Sequence, residues 1–340
     1  MVTTEMKANA QQVSTELAFR DKFGAFKARL GIGRMRYRVK PGLYELGNPT
    51  DQSPVFVSAN YKMSFDKLRA NLRNMSAWIL VLDTHGINVW CAAGKGTFGT
   101  DEIVRQVTET KLHEIVSHKR LIVPQLGAPG VSAHEVQRKC GFKIIYGPIL
   151  ASDILTFMNG GMKALPRMRR IEFPIRKRAT LIPLEILAWA KVALIVAACL
   201  LLLAGLGAGG FSPDRIVDLG IKSAAIFLAA YLAGGILTPI LLPFLPGRAF
   251  ALKGLWIGII CAAALLTYTY FHAGFLGAWP SVLAWAFLIP VVTSFMAMNF
   301  TGSSTFTSLS GVRREMRFAV PIQIVSAVIG LGLWVAGLFV

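Results

Sequence analysis

The sequence predicts two unlike halves: an α/β domain built on a mainly parallel sheet, followed by an all-α membrane domain of five transmembrane helices. Three observations carry that prediction. Charge is unevenly spread, since of 36 Lys+Arg and 18 Asp+Glu only 8 and 4 fall within residues 184–340. The same stretch is a succession of apolar runs, each near the roughly 20 residues that cross a bilayer as a helix. Residues 53–162 instead alternate short β-branched runs with helix-period segments, the pattern of strands joined by crossover helices.

Residues 1–52 form a basic N-terminal segment. Within it Phe19, Phe23, Phe26 and Leu30 recur at helical spacing among Arg20, Lys22, Lys27 and Arg29, which predicts an amphipathic helix. Such a helix lies on a membrane, binds a partner, or packs onto its own domain. The α/β domain follows, 53–162. SPVFVSANY (53–61) reads as a strand and SFDKLRANLRNM (64–75) as a helix with Ser64 at its N-cap. SAWILVLDT (76–84) is apolar throughout, as a strand buried on both faces requires. INVWCAA (87–93) fits either a strand or the entry to a helix. TDEIVRQVTET (100–110) is a helix started by Thr100, with Asp101 and Glu102 in its first turn, where the helix dipole favours acids. RLIVPQL, SAHEVQRKC, FKIIYGP and ASDILTFMN continue as strand, helix, strand and helix. Ligands of such sheets gather beyond the carboxyl ends of the strands, here 58–60, 83–86, 125–130 and 146–148. Small and turn-forming residues there suit close approach of a bulky ligand, and equally suit ordinary turns.

A basic juxtamembrane linker, 163–183, leads into the membrane domain, 184–340. Spans are predicted at 192–211, 221–242, 254–273, 278–300 and 319–340. Positive residues are retained on the cytoplasmic side. Lys163, Arg167, Arg169, Arg170, Arg176, Lys177 and Arg178 precede the first span, Arg248 and Lys253 follow the second, and Arg313, Arg314 and Arg317 follow the fourth. The opposite connections offer Arg215 and Lys222. The chain is therefore expected to be multi-pass in the cytoplasmic (inner) membrane, with its N-terminal domain cytoplasmic and its C-terminus on the opposite side. Trp189, Trp256, Trp279 and Trp334 lie near span ends, where amphipathic rings favour the headgroup zone. The opening MVTTEMKANAQQ lacks the apolar core of a cleavable leader. The net positive charge reads as attraction to membrane lipid and as topology, with no nucleic acid as partner. Glu185, Lys191, Asp218, Lys222 and His272 are expected at or near span ends, which argues against transport and for anchoring or partner docking. Gly205 and Gly209 form a GxxxG, a helix-packing motif.

Several chemical motifs compete. GKGTFG (94–99) matches GxGxxG after an apolar run and before a helix, a Rossmann-like context. The next strand, however, ends in Gln125 where a dinucleotide fold places an acid for the ribose. A phosphate-binding P-loop fails, because Val89 replaces its first glycine and Gly96 its Ser/Thr. DTH (83–85) begins like the motif of corrinoid enzymes that use a histidine beneath cobalt, yet Asn88 stands where glycine belongs. Four cysteines, at 91, 140, 199 and 261, form no CxxC, so no zinc site or iron-sulfur cluster can be assembled from this chain. Cys199, Cys261 and Cys140 read as small hydrophobes. Cys91 is left as either an inert thiol or a functional one.

NVWCAAGKGTFGTDE (88–102), preceded by WILVLDTHGI (78–87), resembles the signature of the HgcA family, the corrinoid proteins of the anaerobic mercury-methylating pair. The resemblance covers nearly the whole chain, since that family also joins a corrinoid-binding domain, similar to that of the corrinoid iron-sulfur protein, to a five-span membrane domain. It implies that Cys91 is the catalytic residue and the lower axial ligand of the cobalt of a cobalamin-type corrinoid, on a cap helix under the ring. Asn88, Val89, Trp90, Cys91, Ala92, Ala93, Gly94 and Lys95 would form that cofactor-binding cap. Thiolate is a soft, strongly donating ligand, and the axial ligand is a principal lever on a macrocycle metal. Ser58, Asn60, Thr84, Gly127 and Gly130, at the strand ends, are the residues expected to meet the corrin amides. The implied activity is methyl transfer, from a methyl-folate or its carrier, to mercury(II) thiolate as substrate, giving methylmercury. With no cluster in this chain, low-potential electrons are expected from a ferredoxin-like partner of the HgcB type carrying [4Fe-4S] clusters. Two other classes stay open: a membrane-anchored nucleotide-binding oxidoreductase using GKGTFG, and a non-enzymatic membrane scaffold.

Overall fold

The computed structural model describes residues 10–303 and 309–340. The first nine residues, on which much of the leader argument rests, lie outside them. The chain divides into two compact units, Met1–Glu172 and Phe173–Val340.

Unit 1 is a six-stranded, mostly parallel sheet with helices on both faces. Its strands are β1 (Gln11–Val13), β2 (Gly42–Leu46), β3 (Val55–Ala59), β4 (Ala77–Leu82), β5 (Arg120–Val123) and β6 (Lys143–Tyr146), in spatial order β1-β2-β4-β3-β5-β6. All neighbours are parallel except β2 and β4, which run antiparallel with Tyr44 opposite Ile79. The four strands after residue 53 fall where their apolar runs predict. Two are additions: β1 and β2 lie in the stretch 1–52 read as a separate segment, and they extend the sheet domain to its N-terminal side. Gln11-Gln12-Val13 carries no alternation, and β2 follows Pro41, so neither has a period-2 signal of its own.

Strand alternation sorts the core into two layers. Val55, Val57, Trp78, Leu80 and Leu82 face one way, against Ala92, Ala93, Phe98 and Ile103. Phe56, Ile79 and Val81 face the other, against Phe65, Leu68, Leu72 and Phe157. The helices that cover the sheet are α1 (Phe19–Arg29), α2 (Lys62–Ala70), α3 (Val89–Lys95), α4 (Thr100–Glu109), α5 (Ala133–Cys140) and α6 (Ile154–Asn159). Helix α2 starts one turn earlier than predicted, with Tyr61 rather than Ser64 at its N-cap, because Ser64, Phe65 and the Lys62 amide already turn back onto Tyr61 and Tyr37 carbonyls. Helix α4 is capped by Gly99, so Thr100 is inside it, and its hydroxyl instead accepts the Ser132 amide at 2.8 Å. The apolar edge of α1 does not pack down: Phe19, Phe23 and Phe26 are exposed.

What fastens α1 is charge. Lys62 reaches both Asp21 (2.7 Å) and Asp66 (2.8 Å), while Arg69 reaches the same two carboxylates at 2.8 Å each and donates to the Ser14 and Glu16 carbonyls. Burial by itself would raise the Asp21 carboxyl, but hydrogen bonds from Lys62 and Arg69 outweigh it and hold that group below the ordinary carboxylate range. A depressed native value means a contribution fully present above the unfolded pKa near 4 and lost as pH falls below it. Asp21→Asn is therefore expected to destabilise unit 1 by about 1–2 kcal/mol at pH 7, between the values of surface and buried pairs. Hydrogen exchange of α2, corrected for intrinsic rates, checks it: the wild-type advantage must shrink between pH 5 and pH 3.

Unit 2 contains five helices long and apolar enough to cross a membrane. They are α7 (Ile182–Leu203), α8 (Ile221–Leu241), α9 (Phe250–Phe271), α10 (Trp279–Asn299) and α11 (Leu309–Ala336). Helix α10 is central, with 61% of its apolar window buried against 17–33% for the others. Three expectations change. Lys191 lies well inside α7 with its side chain exposed, where a long aliphatic stem lets the ammonium reach toward an interface. Trp334 is buried and donates its indole N–H to Ser223 at 3.1 Å, so it locks α11 to α8 rather than marking a headgroup zone. Gly205 and Gly209 fall beyond the end of α7; helix packing is carried instead by glycines such as Gly254 and Gly258 on α9, whose missing side chains admit Thr293, Ser294 and Pro290 of α10.

Candidate functional site

Strand β4 ends at Leu82, and the chain turns through Asp83–Ile87 before entering α3. Asn60, one residue past the end of β3, organises this turn. Its Oδ1 accepts the Thr84 amide (3.2 Å) and the Gly86 amide (2.9 Å) and lies 2.8 Å from the Thr84 hydroxyl, while its Nδ2 donates to Asp83 at 2.8 Å. The Asp83 amide in turn donates to Glu102 of α4 at 2.8 Å. His85 adopts φ 56°, in the left-handed region, and Gly86 follows at 77°; a side chain on Gly86 would strike the Met35 carbonyl. The turn is thus rigid, and it delivers Asn88 to the N-cap of α3.

Asn88 fixes what comes next. Its side-chain oxygen accepts the Cys91 amide at 2.9 Å, closing the first turn of α3. Val89, Ala92 and Ala93 are the buried face of that helix; Trp90 and Cys91 are partly exposed, and Gly94 and Lys95 are exposed. The Cys91 thiol has no hydrogen-bond partner among the described residues. Cys140 contrasts with it: burial pushes that thiol up, and it donates to the Val136 carbonyl at 3.2 Å, a structural cysteine.

Helix α3 is held close to the loop 125–130 by two glycines. A side chain on Gly127 would collide with the Phe98 ring, and one on Gly130 would collide with the Phe98 carbonyl and stand 3.1 Å from Ala93 Cα. Gly94 faces open space instead. The same loop carries Gln125, whose Oε1 is buried without a hydrogen-bond partner among the described residues. A buried acceptor left unpaired is costly unless a bound group supplies a donor.

The structure therefore brings together the stretch Asn88–Lys95 and the loop 125–130 at the carboxyl edge of the sheet. The other strand-end residues expected to meet a ligand lie at the same edge. Ser58, Asn60 and Thr84 are buried, and the polar atoms of Asn60 and Thr84 are committed to one another and to the turn, because the ends of two central strands need internal partners. Gly127 and Gly130 serve the approach of α3. Gln125 is the residue that sequence reasoning passed over; it stood out only as the wrong residue for a ribose. His85 is largely exposed and leans on Asp83, Nδ1 to Oδ1 3.5 Å. The GKGTFG stretch opens at the end of a helix, with Gly96 (φ 82°) as its C-cap, and not at the end of a strand. A dinucleotide fingerprint needs the strand-to-helix turn, so the geometry removes that reading.

Gly130→Ala tests the glycine contact. Overpacking against backbone is expected to cost about 1–3 kcal/mol and to displace α3, whereas Gly94→Ala, with room around it, is expected to be tolerated. Exchange of the α3 amides in the two variants distinguishes them.

The comparisons with known proteins find in unit 1 a domain similar to subunits of corrinoid proteins. A profile for the CO dehydrogenase/acetyl-CoA synthase delta subunit matches residues 33–158, which include β2 to β6 and α3. Among curated proteins, the acetyl-CoA decarbonylase/synthase complex subunit gamma of Archaeoglobus fulgidus is 30% identical over 118 residues, 34% of this chain and 25% of that protein. The subunit of the same name from Methanocaldococcus jannaschii is 30% identical over 123 residues, 36% of this chain and 25% of its own. The corrinoid/iron-sulfur protein large subunit of Moorella thermoacetica is 28% identical over 127 residues, covering 37% and 28%. The chain spans about a quarter of the length of these relatives, and the profile stops short of unit 2.

Proposed function

We propose that unit 1 binds a corrinoid against α3 and that the chain is a methyl-transfer protein which delivers a methyl group to mercury(II), with the Cys91 thiolate as the lower ligand of the cobalt. A corrinoid, when bound, supplies a cobalt centre that accepts a methyl group and releases it to an acceptor. The residues present fit such a group. Cys91 offers an unpartnered sulfur on the solvent-facing side of α3, Gly94 leaves the surface beside it flat, and the buried Gln125 Oε1 awaits a donor of the kind that corrin amides carry. The carrying observation is that Cys91 stands in the first turn of α3, its amide pinned by Asn88, within the stretch 33–158 that matches the CO dehydrogenase/acetyl-CoA synthase delta subunit profile.

Each residue has a physical task. Asn88 and the Asn60-centred turn fix the direction in which Cys91 projects. Ala92 and Ala93 seat α3 on the sheet, and the partly exposed Trp90 precedes Cys91 as an apolar residue suited to the face of a corrin ring. The methyl donor is a methylated folate or its carrier. Electrons come from a separate ferredoxin-like protein with [4Fe-4S] clusters; the relatives' names as complex subunits and as a corrinoid/iron-sulfur protein support a partner of that kind. The five apolar helices support a multi-pass membrane location with unit 1 on the cytoplasmic side.

The deciding experiment is the absorption and EPR spectrum of the purified protein. A corrinoid spectrum with sulfur character in the axial bond is the expected result; bound nicotinamide or flavin, or nitrogen character that disappears on replacing His85, would sink the proposal.

A further inference from the structure

Helix α10 packs against both α9 and α11, and a groove of about 1080 Å³ lies between these two flanking helices with α10 as its floor. Its middle is apolar, walled by Leu255 and Ile259 of α9 and by Phe318 and Ile322 of α11, over Phe287 and Pro290 of α10. Its volume reaches the upper end of the roughly 300–1,000 Å³ typical of small-molecule sites. Polarity is confined to one end and one depth. Arg248, just ahead of α9, and Arg314, in the second turn of α11, flank the mouth. Neither makes an ion pair or hydrogen bond among the described residues. Glu315, the one acid in the lining, is already engaged: its Oε1 accepts the Ala251 amide at 2.6 Å, capping α9. Deeper in, Gln323 donates to the Ser294 hydroxyl at 2.8 Å, and this neutral pair carries no charge to compete with the arginines at the mouth.

We propose that this groove binds one anionic phospholipid, with its phosphate between Arg248 and Arg314 and its acyl chains along α9 and α11. Length and charge together select this occupant. The lining residues on α11 run from Gly311 to Ser326, about 20 Å along a helix at 1.5 Å per residue. That is close to half of a bilayer about 40–45 Å thick with its headgroup zones included, the length from a lipid phosphate to the ends of its acyl chains. A lipid of the Arg-rich leaflet therefore fits with its charged end where the arginines are and its apolar end where the aliphatic walls are. A second transmembrane helix would fill the walls but bring no anion between the two guanidinium groups, leaving them without a counter-charge. Basic pockets between transmembrane helices are a recognised mode of anionic-lipid capture.

The test uses the full-length protein, delipidated in a neutral detergent and analysed by native mass spectrometry after addition of phosphatidylglycerol or phosphatidylcholine. One phosphatidylglycerol is expected to be retained in preference to phosphatidylcholine. Arg248→Gln with Arg314→Gln should lower phosphatidylglycerol retention about thirtyfold, the product of two arginine contributions near a membrane surface. The double lysine variant should restore most of it. Ile322→Trp, which fills the groove without touching charge, should lower retention of both lipids at that site. Equal retention of the two lipids, loss of phosphatidylglycerol on adding millimolar inorganic phosphate alone, indifference to the double glutamine variant, or a second copy of the chain seated on α9 and α11 by crosslinking would each overturn the proposal.

Discussion

Cys91→Ala is expected to abolish methyl transfer, to less than about one hundredth of wild type, while unit 1 stays folded. The size of the loss follows from position. Changing a group that only orients a metal ligand commonly costs ten- to a hundredfold, and Cys91 is proposed as the ligand itself. Folding should be spared for three reasons on the structure. The thiol holds no hydrogen bond among the described residues; the Asn88 bond that closes α3 goes to the Cys91 backbone amide and survives the substitution; and alanine is the best helix former. The change in stability should stay within about 0.5 kcal/mol, as for exposed positions away from special features. His85→Ala supplies the contrast. Its side chain is exposed, with Nδ1 3.5 Å from Asp83, so activity is expected within about twofold of wild type. Methylmercury formation with the iron-sulfur partner present, set beside the EPR signature of each purified variant, separates the two. If neither His85→Ala nor Cys91→Ala changed activity, neither residue would ligate the cobalt and the role proposed for Cys91 would fall.

The sheet and the candidate site differed in how plainly the sequence wrote them, for physical reasons. Strands β3 to β6 are legible because strands buried on both faces must be apolar without interruption, and VFVSA, AWILVL and RLIV have few other uses. β1 and β2 are not, because an edge strand of three residues and its partner carry mixed side chains and are held by neighbours far along the chain, Tyr44 by Ile79 and the region of Ser14 by Arg69. Local propensity cannot encode such long-range pairing. In the site, residues 88–95 stood out as a contiguous string, whereas Gln125 becomes visible only when the loop 125–130 folds against α3 and leaves its oxygen unpaired. The strand-end residues were legible only in part, for a complementary reason. Asn60 and Thr84 are small, polar and at the carboxyl edge, which is what a ligand contact looks like in sequence, and only the hydrogen-bond ladder between them reveals that they hold the frame.

Unit 2 offers the second large effect, because a helix's packing glycines and a loop's glycines look alike until the helix ends are known. Gly254→Leu is expected to disrupt the α9–α10 pair, with loss of a cooperative thermal transition of unit 2 in detergent, while Gly209→Leu is expected to leave it intact. At Gly254 even the first carbon of a side chain would run into the Thr293 carbonyl and the Ala297 methyl and stand 2.8 Å from Ser294 Cα. Two of those three obstacles are backbone, which no rotamer change can move aside. Helix pairs in lipid have no hydrophobic driving force to spare, since the surrounding chains are as apolar as leucine; close backbone approach is what holds them. Separating α9 from α10 far enough to admit a leucine would also break the approach at Gly258, where Pro290 N is 3.0 Å from the missing side chain. Overpacking alone costs about 1–3 kcal/mol, and losing the remaining seam adds to it. Gly209 has nothing within reach and follows the end of α7, so its leucine meets no neighbour. Since α10 is also the floor between α9 and α11, the Gly254 variant should lose phosphatidylglycerol retention along with its transition, whereas the corrinoid spectrum of unit 1, a separately packed body, should be unchanged. A Gly254→Leu protein that melts like wild type would mean that these glycines are not what holds the bundle.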